Sequence, residues 1–142
     1  MGKLGMLKSA WLAALLMTTA AAVGAQGAAG SLRSGYRAVS LPVPPHQMAY
    51  IAVGDRVDVL VTFEALLPKG TKEMVTATIL QNVVVLKTEP AAGAVLLELN
   101  PNEAQYAALS VGPNKSLWLV ARAPGDMSMK PMEMASFRKL FR

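Results

Sequence analysis

The chain contains no cysteine and a single histidine, His46. The first absence excludes a disulfide framework and a thiolate metal site. The second excludes a multi-histidine metal site and any mechanism that runs on a histidine pair. No serine, lysine or glutamate stands in a recognisable nucleophile, base and orienter spacing, and there is no glycine-rich phosphate loop. Carboxylates such as Glu98 and Glu103 straddle a helix start, where Glu103 already has a capping task. Strong charge is missing too: 14 basic against 9 acidic side chains leave +5. That excess is too small to point to nucleic acid. Internal repeats and a strand–helix–strand rhythm are also absent. The sequence therefore predicts no enzyme, no cofactor and no nucleic-acid partner.

One long apolar stretch is present, at the start. Lys3 and Lys8 precede a run over residues 9–23, and Val23-Gly24-Ala25 offers small residues where a signal peptidase reads. Residues 1–25 are expected to be an export signal cleaved after Ala25. The alternative is an uncleaved inner-membrane anchor, for which a run of about 15 residues is short of the roughly 20 a span needs. Either way the remainder is exported and periplasmic. Without Lys3 and Lys8 it keeps 12 basic and 9 acidic side chains, a net charge of +3. An exported chain without disulfides depends on core packing alone.

Residues 26–34 are rich in Gly, Ala and Ser and are expected to form a linker. Residues 35–126 carry strand signals. A strand over residues 35–43 ends in Pro42, Pro44 and Pro45. The next signal is sharper. Gly54 and Asp55 form a turn, and then Arg56, Asp58 and Thr62 alternate with Val57, Val59, Val61 and Phe63. That period of two gives a strand with one wet and one buried face. Leu60 breaks the pattern and is expected to be covered by another element. Residues 68–72 form a polar turn, and the β-branched run over 73–87 is one long bent strand or two strands split near Gln81-Asn82. A turn at residues 89–93 leads to a strand over 94–99.

Asn100-Pro101-Asn102-Glu103 is a capping box opening a helix whose apolar face is Ala104, Ala107, Ala108 and Val111, with Tyr106 and Leu109 beside it. Gly112-Pro113-Asn114 stops it. A last strand runs over residues 116–122 and closes in a turn at Pro124-Gly125-Asp126. The fold class is mainly β (α+β): a small antiparallel β-barrel-like domain of five or six strands, one short helix and a C-terminal tail helix.

The tail, residues 127–142, is a methionine-rich basic appendage. Its last twelve residues are expected to form a helix that gathers Met134, Phe137, Leu140 and Phe141 near one side and Arg138, Lys139 and Arg142 beside them. Such a segment can lie on an anionic membrane surface, dock in a partner's groove with Met132, or cover the open end of the β domain.

Laid out in this order, the motifs resemble the Flp-type (tight-adherence) pilus assembly family CpaB/RcpC. Gly35-Tyr36-Arg37-Ala38-Val39-Ser40 is similar to the family's Gly-x-Arg-Ala-Val-Ser segment, and Gly54-Asp55-Arg56-Val57-Asp58-Val59 to its most recognisable motif. Residues 78–86, the strand and helix over 95–109, and residues 117–122 with Pro124-Gly125-Asp126 follow in the same order. The resemblance covers roughly residues 35–126. It implies a non-catalytic exported protein that helps to assemble the pilus near an outer-membrane secretin or an inner-membrane anchor. It also implies a β-clip (SAF-like) domain, of which residues 35–53 match the end.

Six residues of the family motifs are the candidate interaction residues: Gly54, Asp55, Arg56, Asp58, Arg122 and Asp126. Among them Asp55, Arg56 and Asp58 form a charged docking face, or Asp55 caps a turn while Arg56 and Asp58 solvate a strand. The tail candidates are Met132, Met134, Phe137, Arg138, Lys139, Leu140 and Phe141. Exposed strand edges and the tail are the expected contact surfaces.

Two other functions compete. One is a peptidoglycan-binding module stacking sugars on Tyr36, Tyr50, Tyr106 or Trp118, side chains equally suited to filling core. The other is a periplasmic Cu(I) binder using Met127, Met129, Met132 and Met134, with His46 a further candidate. Against copper, Lys130 sits among the methionines, and flexible Met side chains also suit an adaptable protein contact.

Overall fold

The computed structural model describes residues 31–141. The signal expected over residues 1–25 and most of the linker lie outside them. Six strands and two helices follow one another: β1 (Arg37–Pro42), β2 (Arg56–Leu66), β3 (Lys72–Glu89), β4 (Ala94–Leu99), α1 (Pro101–Ser110), β5 (Lys115–Ala121), β6 (Ala135–Ser136) and α2 (Phe137–Leu140). All pairings are antiparallel. The sheet order is β1-β4-β3-β2-β5, with β6 added to β3. The sheet does not close on itself, so β1 and β5 remain as its ends.

Alternation in β2 works as its sequence predicts. Val57, Val59 and Val61 are buried and face the core, whereas Asp58, Leu60 and Thr62 face the other side. Leu60 is half-buried there, opposite Trp118 of β5 and Thr78 of β3. The core joins these valines to Leu80, Val83 and Val85 of β3, to Val95, Leu97 and Leu99 of β4, and to Leu41, Met48 and Ala107. Burying this much aliphatic surface is the main stabilising term for a chain without crosslinks.

The run over residues 73–87 is one strand, bent rather than split. Its register against β2 slips twice, between Val57 and Val59 and between Val59 and Leu60. These are bulges, each placing one extra β3 residue opposite β2. The first contains Asn82, at φ 58°. Asn tolerates that left-handed conformation better than most residues. The bend lets one strand serve three neighbours: it pairs with β2 from Lys72 to Val84, with β6 at Val75 and Thr76, and with β4 from Val84 to Glu89.

α1 carries the expected capping box. Asn100 Oδ1 accepts from the Glu103 amide at 2.9 Å, and Glu103 Oε2 accepts from the Asn100 amide at 2.7 Å. Its buried face differs from the expected one. Ala107 and Ser110 are buried and Ala104 packs on the core, whereas Ala108 and Val111 are exposed. Ser110 can enter because its hydroxyl donates back to the Ala107 carbonyl at 2.6 Å, which satisfies a polar group inside.

The tail helix is also shorter than expected. Only Phe137–Leu140 are helical. The preceding Ala135–Ser136 pair with Thr76 and Val75 at the edge of β3. Backbone bonds offered by an open strand edge outcompete the marginal helix propensity of so short a segment. No helix among the described residues is long and apolar enough to cross a membrane.

Candidate functional site: the polar face of the sheet

α1 covers the inner face of the sheet, and a polar network covers the outer one. The network starts at the Gly54 turn. Gly54 has φ 91°, a conformation that favours glycine. Asp55 Oδ2 accepts from the Ala52 amide at 2.8 Å while the Asp55 amide donates to the Ala52 carbonyl at 3.1 Å. Asp55 thus closes its own turn, one of the two roles its sequence position suggests.

Arg56 and Asp58 then reach across to the Asn82 bulge. A bulge leaves one amide and one carbonyl outside the ladder. Asp58 Oδ1 accepts from the Asn82 amide at 2.8 Å. Arg56 Nη1 donates to the Asn82 carbonyl and to its Oδ1, both at 3.1 Å. Arg56 and Asp58 of β2 therefore complete the hydrogen bonding of the extra residue in β3.

The same Asp58 oxygen accepts from Arg122 Nη1 at 2.6 Å. The Arg122 side chain, at the end of β5, is only 6% exposed. It also donates to Asp126 Oδ2 at 3.1 Å, to the Asp126 carbonyl at 3.2 Å and to the Ser128 carbonyl. Hydrogen bonding to Asp58 raises the Arg122 pKa further, so the guanidinium stays charged at any ordinary pH. Arg122 thereby joins β5, the bulge and the start of the tail.

The tail continues across this face. Gln81 Nε2 donates to the Lys130 carbonyl at 2.7 Å, and the Lys130 amide donates back to Gln81 Oε1 at 3.1 Å. A primary amide side chain here imitates one rung of a strand ladder. Further on, Glu73 accepts from the Arg138 amide at 3.2 Å. That bond, with one from Ser136, holds the Glu73 carboxyl below its usual range.

The structure therefore joins Asp58, Arg122 and Asp126 directly, links Arg56 to Asp58 through Asn82, and leaves Gly54 and Asp55 closing the turn before them. Of the tail candidates, Met132 lines a cavity with Asp58, Arg122 and Asp126. Met132, Met134, Phe137, Leu140 and Phe141 are exposed. Arg138 faces Glu73 at 3.7 Å, and Lys139 pairs with Glu133 at 2.9 Å. A shallow cavity of about 220 Å3 separates Phe137 and Leu140 from Thr62, Met74 and Thr76.

Asp126 sets a pH limit on this arrangement. Hydrogen bonds from the Ser128 hydroxyl and amide, then Arg122, lower its pKa to about 2. A depressed folded-state pKa gives stability that is full above the ordinary value, 3.8, and is lost as pH falls toward 2. Protection of the amides of residues 126–130, measured against their intrinsic exchange rates, is expected to fall across that window ahead of that of the core amides. Uniform exchange through both regions would contradict it.

A further ion pair, unanticipated in the sequence, lies at β4. Glu98 is 5% exposed on the outer face. Its Oε1 accepts from the Arg33 amide at 2.8 Å and its Oε2 from Arg33 Nε at 2.7 Å. The Arg33 guanidinium also stacks on Tyr36, 3.8 Å from the ring centroid. The signal was a glutamate at a core-strand position, which demands a partner.

A family model for the Flp pilus assembly protein RcpC/CpaB matches residues 26–122. The chain belongs to this family. The match ends at Arg122, the residue that ties the sheet to the tail, so the RcpC/CpaB unit contains the bulge and its two charged clasps while the tail lies beyond it. No curated protein and no solved structure matches the chain.

The side chains of the competing readings are scattered. Tyr36 lies under Arg33, Tyr106 is on α1, Tyr50 is in the loop before β2, and Trp118 is on the outer face donating to Thr62. Met127 and Met129 line a cavity beside Arg33 and Arg56, whereas Met132 lines another beside Asp58 and Arg122. Among the described residues no three His, Asp or Glu gather as metal ligands. An apolar groove of about 330 Å3 runs between α1 and the sheet, lined by Val61, Phe63, Ile79, Tyr106 and Leu109 among others.

Proposed function

We propose that this RcpC/CpaB protein acts outside the cytoplasm as a non-catalytic structural component in assembly of an Flp-type pilus, through contacts with other proteins of the apparatus. Family membership carries the reading. Its architecture supports it: the motif charges bond to one another and to the backbone, which makes a rigid platform rather than a reactive cleft. A secretin or an inner-membrane anchor is the expected partner. The exposed tail side chains Phe137, Leu140 and Phe141 supply apolar area of the kind that anchors protein contacts.

Deleting the gene in its host is expected to abolish surface pili without lowering pilin synthesis, and the intact gene to restore them. The tagged protein should co-purify with the secretin. Normal piliation in the deletion strain would refute the reading.

A further inference from the structure

The sheet offers three strand edges, and the chain blocks two of them. At β5, Gln47 Nε2 donates to the Leu117 carbonyl at 3.1 Å and Gln47 Oε1 accepts from the Leu119 amide at 2.9 Å. A single side chain thus fills the middle of that edge. At β3, β6 pairs with Val75 and Thr76, the Gln81 side chain holds the Lys130 backbone further along, and β4 occupies the end from Val84. Unpaired edges are normally blocked in this manner because they pair with other chains.

β1 is different. Its register against β4 runs without a slip from Arg37↔Leu99 to Pro42↔Ala94, and the Val43 amide continues it by donating to the Gly93 carbonyl at 2.9 Å. Antiparallel pairing then directs the backbone groups of Arg37, Val39 and Leu41 toward β4, and those of Ala38, Ser40 and Pro42 outward. Pro42 fits this pattern, since its missing amide lies on the outward side. Among the described residues nothing pairs with these outward groups, and Ala38, Ser40 and Pro42 are exposed. Their side chains are small, so another backbone can approach.

We propose that the β1 edge receives an extended segment of another protein, which adds as a further strand of this sheet. The inference rests on the assembly reading and names the surface that serves it. Charge selects the occupant. The Arg37 guanidinium bonds only to the Gly35 and Tyr36 carbonyls, 3.1 Å each, and makes no ion pair among the described residues. A fitting segment carries a carboxylate at the end beside Arg37, and apolar side chains at alternate positions extending the layer of Val39 and Leu41. A second copy of β1 does not supply that carboxylate, because residues 31–43 include no acidic side chain.

The test uses the full chain and two short synthetic peptides alternating valine and threonine, one with aspartate at its first position and one at its last. One of the two is expected to bind and to slow amide exchange at Ala38 and Ser40 while leaving Leu119 and Ala121 unchanged. Ser40→Pro removes an outward amide without touching the β4 ladder. It should weaken binding by at least about tenfold with an unchanged melting temperature. Arg37→Glu should switch the preference to a lysine-bearing peptide.

Equal binding by parent and Ser40→Pro protein, protection at β5 instead, or a dimer of the chain that Ser40→Pro dissolves would each overturn the inference. These failures are separable from failure of the assembly reading. Normal pili in the deletion strain would remove the pilus role and leave the peptide result standing. Lost pili together with an indifferent Ser40→Pro protein would remove the edge alone.

Discussion

Asp58→Ala is expected to lower the stability of the domain by about 2–3 kcal/mol and to free the start of the tail. Asp58 Oδ1 serves both the Asn82 amide and Arg122 Nη1. Its removal strands a half-buried amide inside the bulge and takes a carboxylate partner from a guanidinium that is 6% exposed. In a domain of about 100 residues such a loss moves the melting temperature by roughly 10 °C or more. Urea titration should give a lower midpoint at unchanged slope. Amide exchange at residues 127–130 should rise more than in the core, because Arg122 also holds Asp126 and Ser128.

Asp58→Asn keeps an acceptor for the bulge amide and should lose distinctly less. Pairing Asp58→Ala with Arg122→Leu should cost less than the two single changes added together, since the guanidinium is no longer left without its partner. An Asp58→Ala protein that unfolds at the parent's urea concentration would show that the bulge needs no clasp.

Arg33→Ala should be the second large effect, with a characteristic pH dependence. Burial pushes the Glu98 carboxyl up, but the two hydrogen bonds from Arg33 and its charge outweigh this and leave it below its ordinary value of 4.5. The depressed folded-state value means that the pair stabilises fully above the ordinary value, and that this contribution disappears as pH falls through the lowered one. In Arg33→Ala the burial effect is opposed only by the remaining backbone bond and the more distant Arg56 charge, and the carboxyl rises. The variant is expected to be less stable than the parent by about 1–2 kcal/mol near neutral pH. The lower part of the usual range applies because the arginine side chain is 53% exposed. Below the ordinary carboxyl range the two proteins should converge, since protonated Glu98 needs no cation. Glu98→Gln should show the same loss of pH dependence. A constant gap from neutral to acid pH would assign the loss to the Tyr36 stacking of Arg33 rather than to the ion pair.

Both effects bear on the pilus role through rigidity. The clasp over Asn82 holds the bend that lets β3 carry β2, β4 and β6 together. The Arg33–Glu98 pair holds the chain entering β1 against β4. A looser bend or entry would shift the β1 edge, so each variant is also expected to assemble pili poorly at elevated temperature before it fails at lower temperature.

Local patterns determined a good deal of this protein. The period of two in residues 56–63, the capping box at Asn100 and the Gly54 turn each depend on neighbours a few residues apart, and each formed where the chain alone predicts it. The family resemblance was legible for the same reason, since its motifs are short strands and turns read in order. What the tertiary structure decided concerns partners far apart in the chain. Asp58 meets Asn82 and Arg122, 24 and 64 positions away, and Glu98 meets Arg33 across 65. No local periodicity encodes such pairs, and a charged residue on the wet side of a strand is the same in sequence whether water or another strand lies above it. The tail shows the same limit. Its amphipathic spacing favoured a helix, but an open edge of β3 supplied the backbone bonds that a marginal helix would otherwise make for itself.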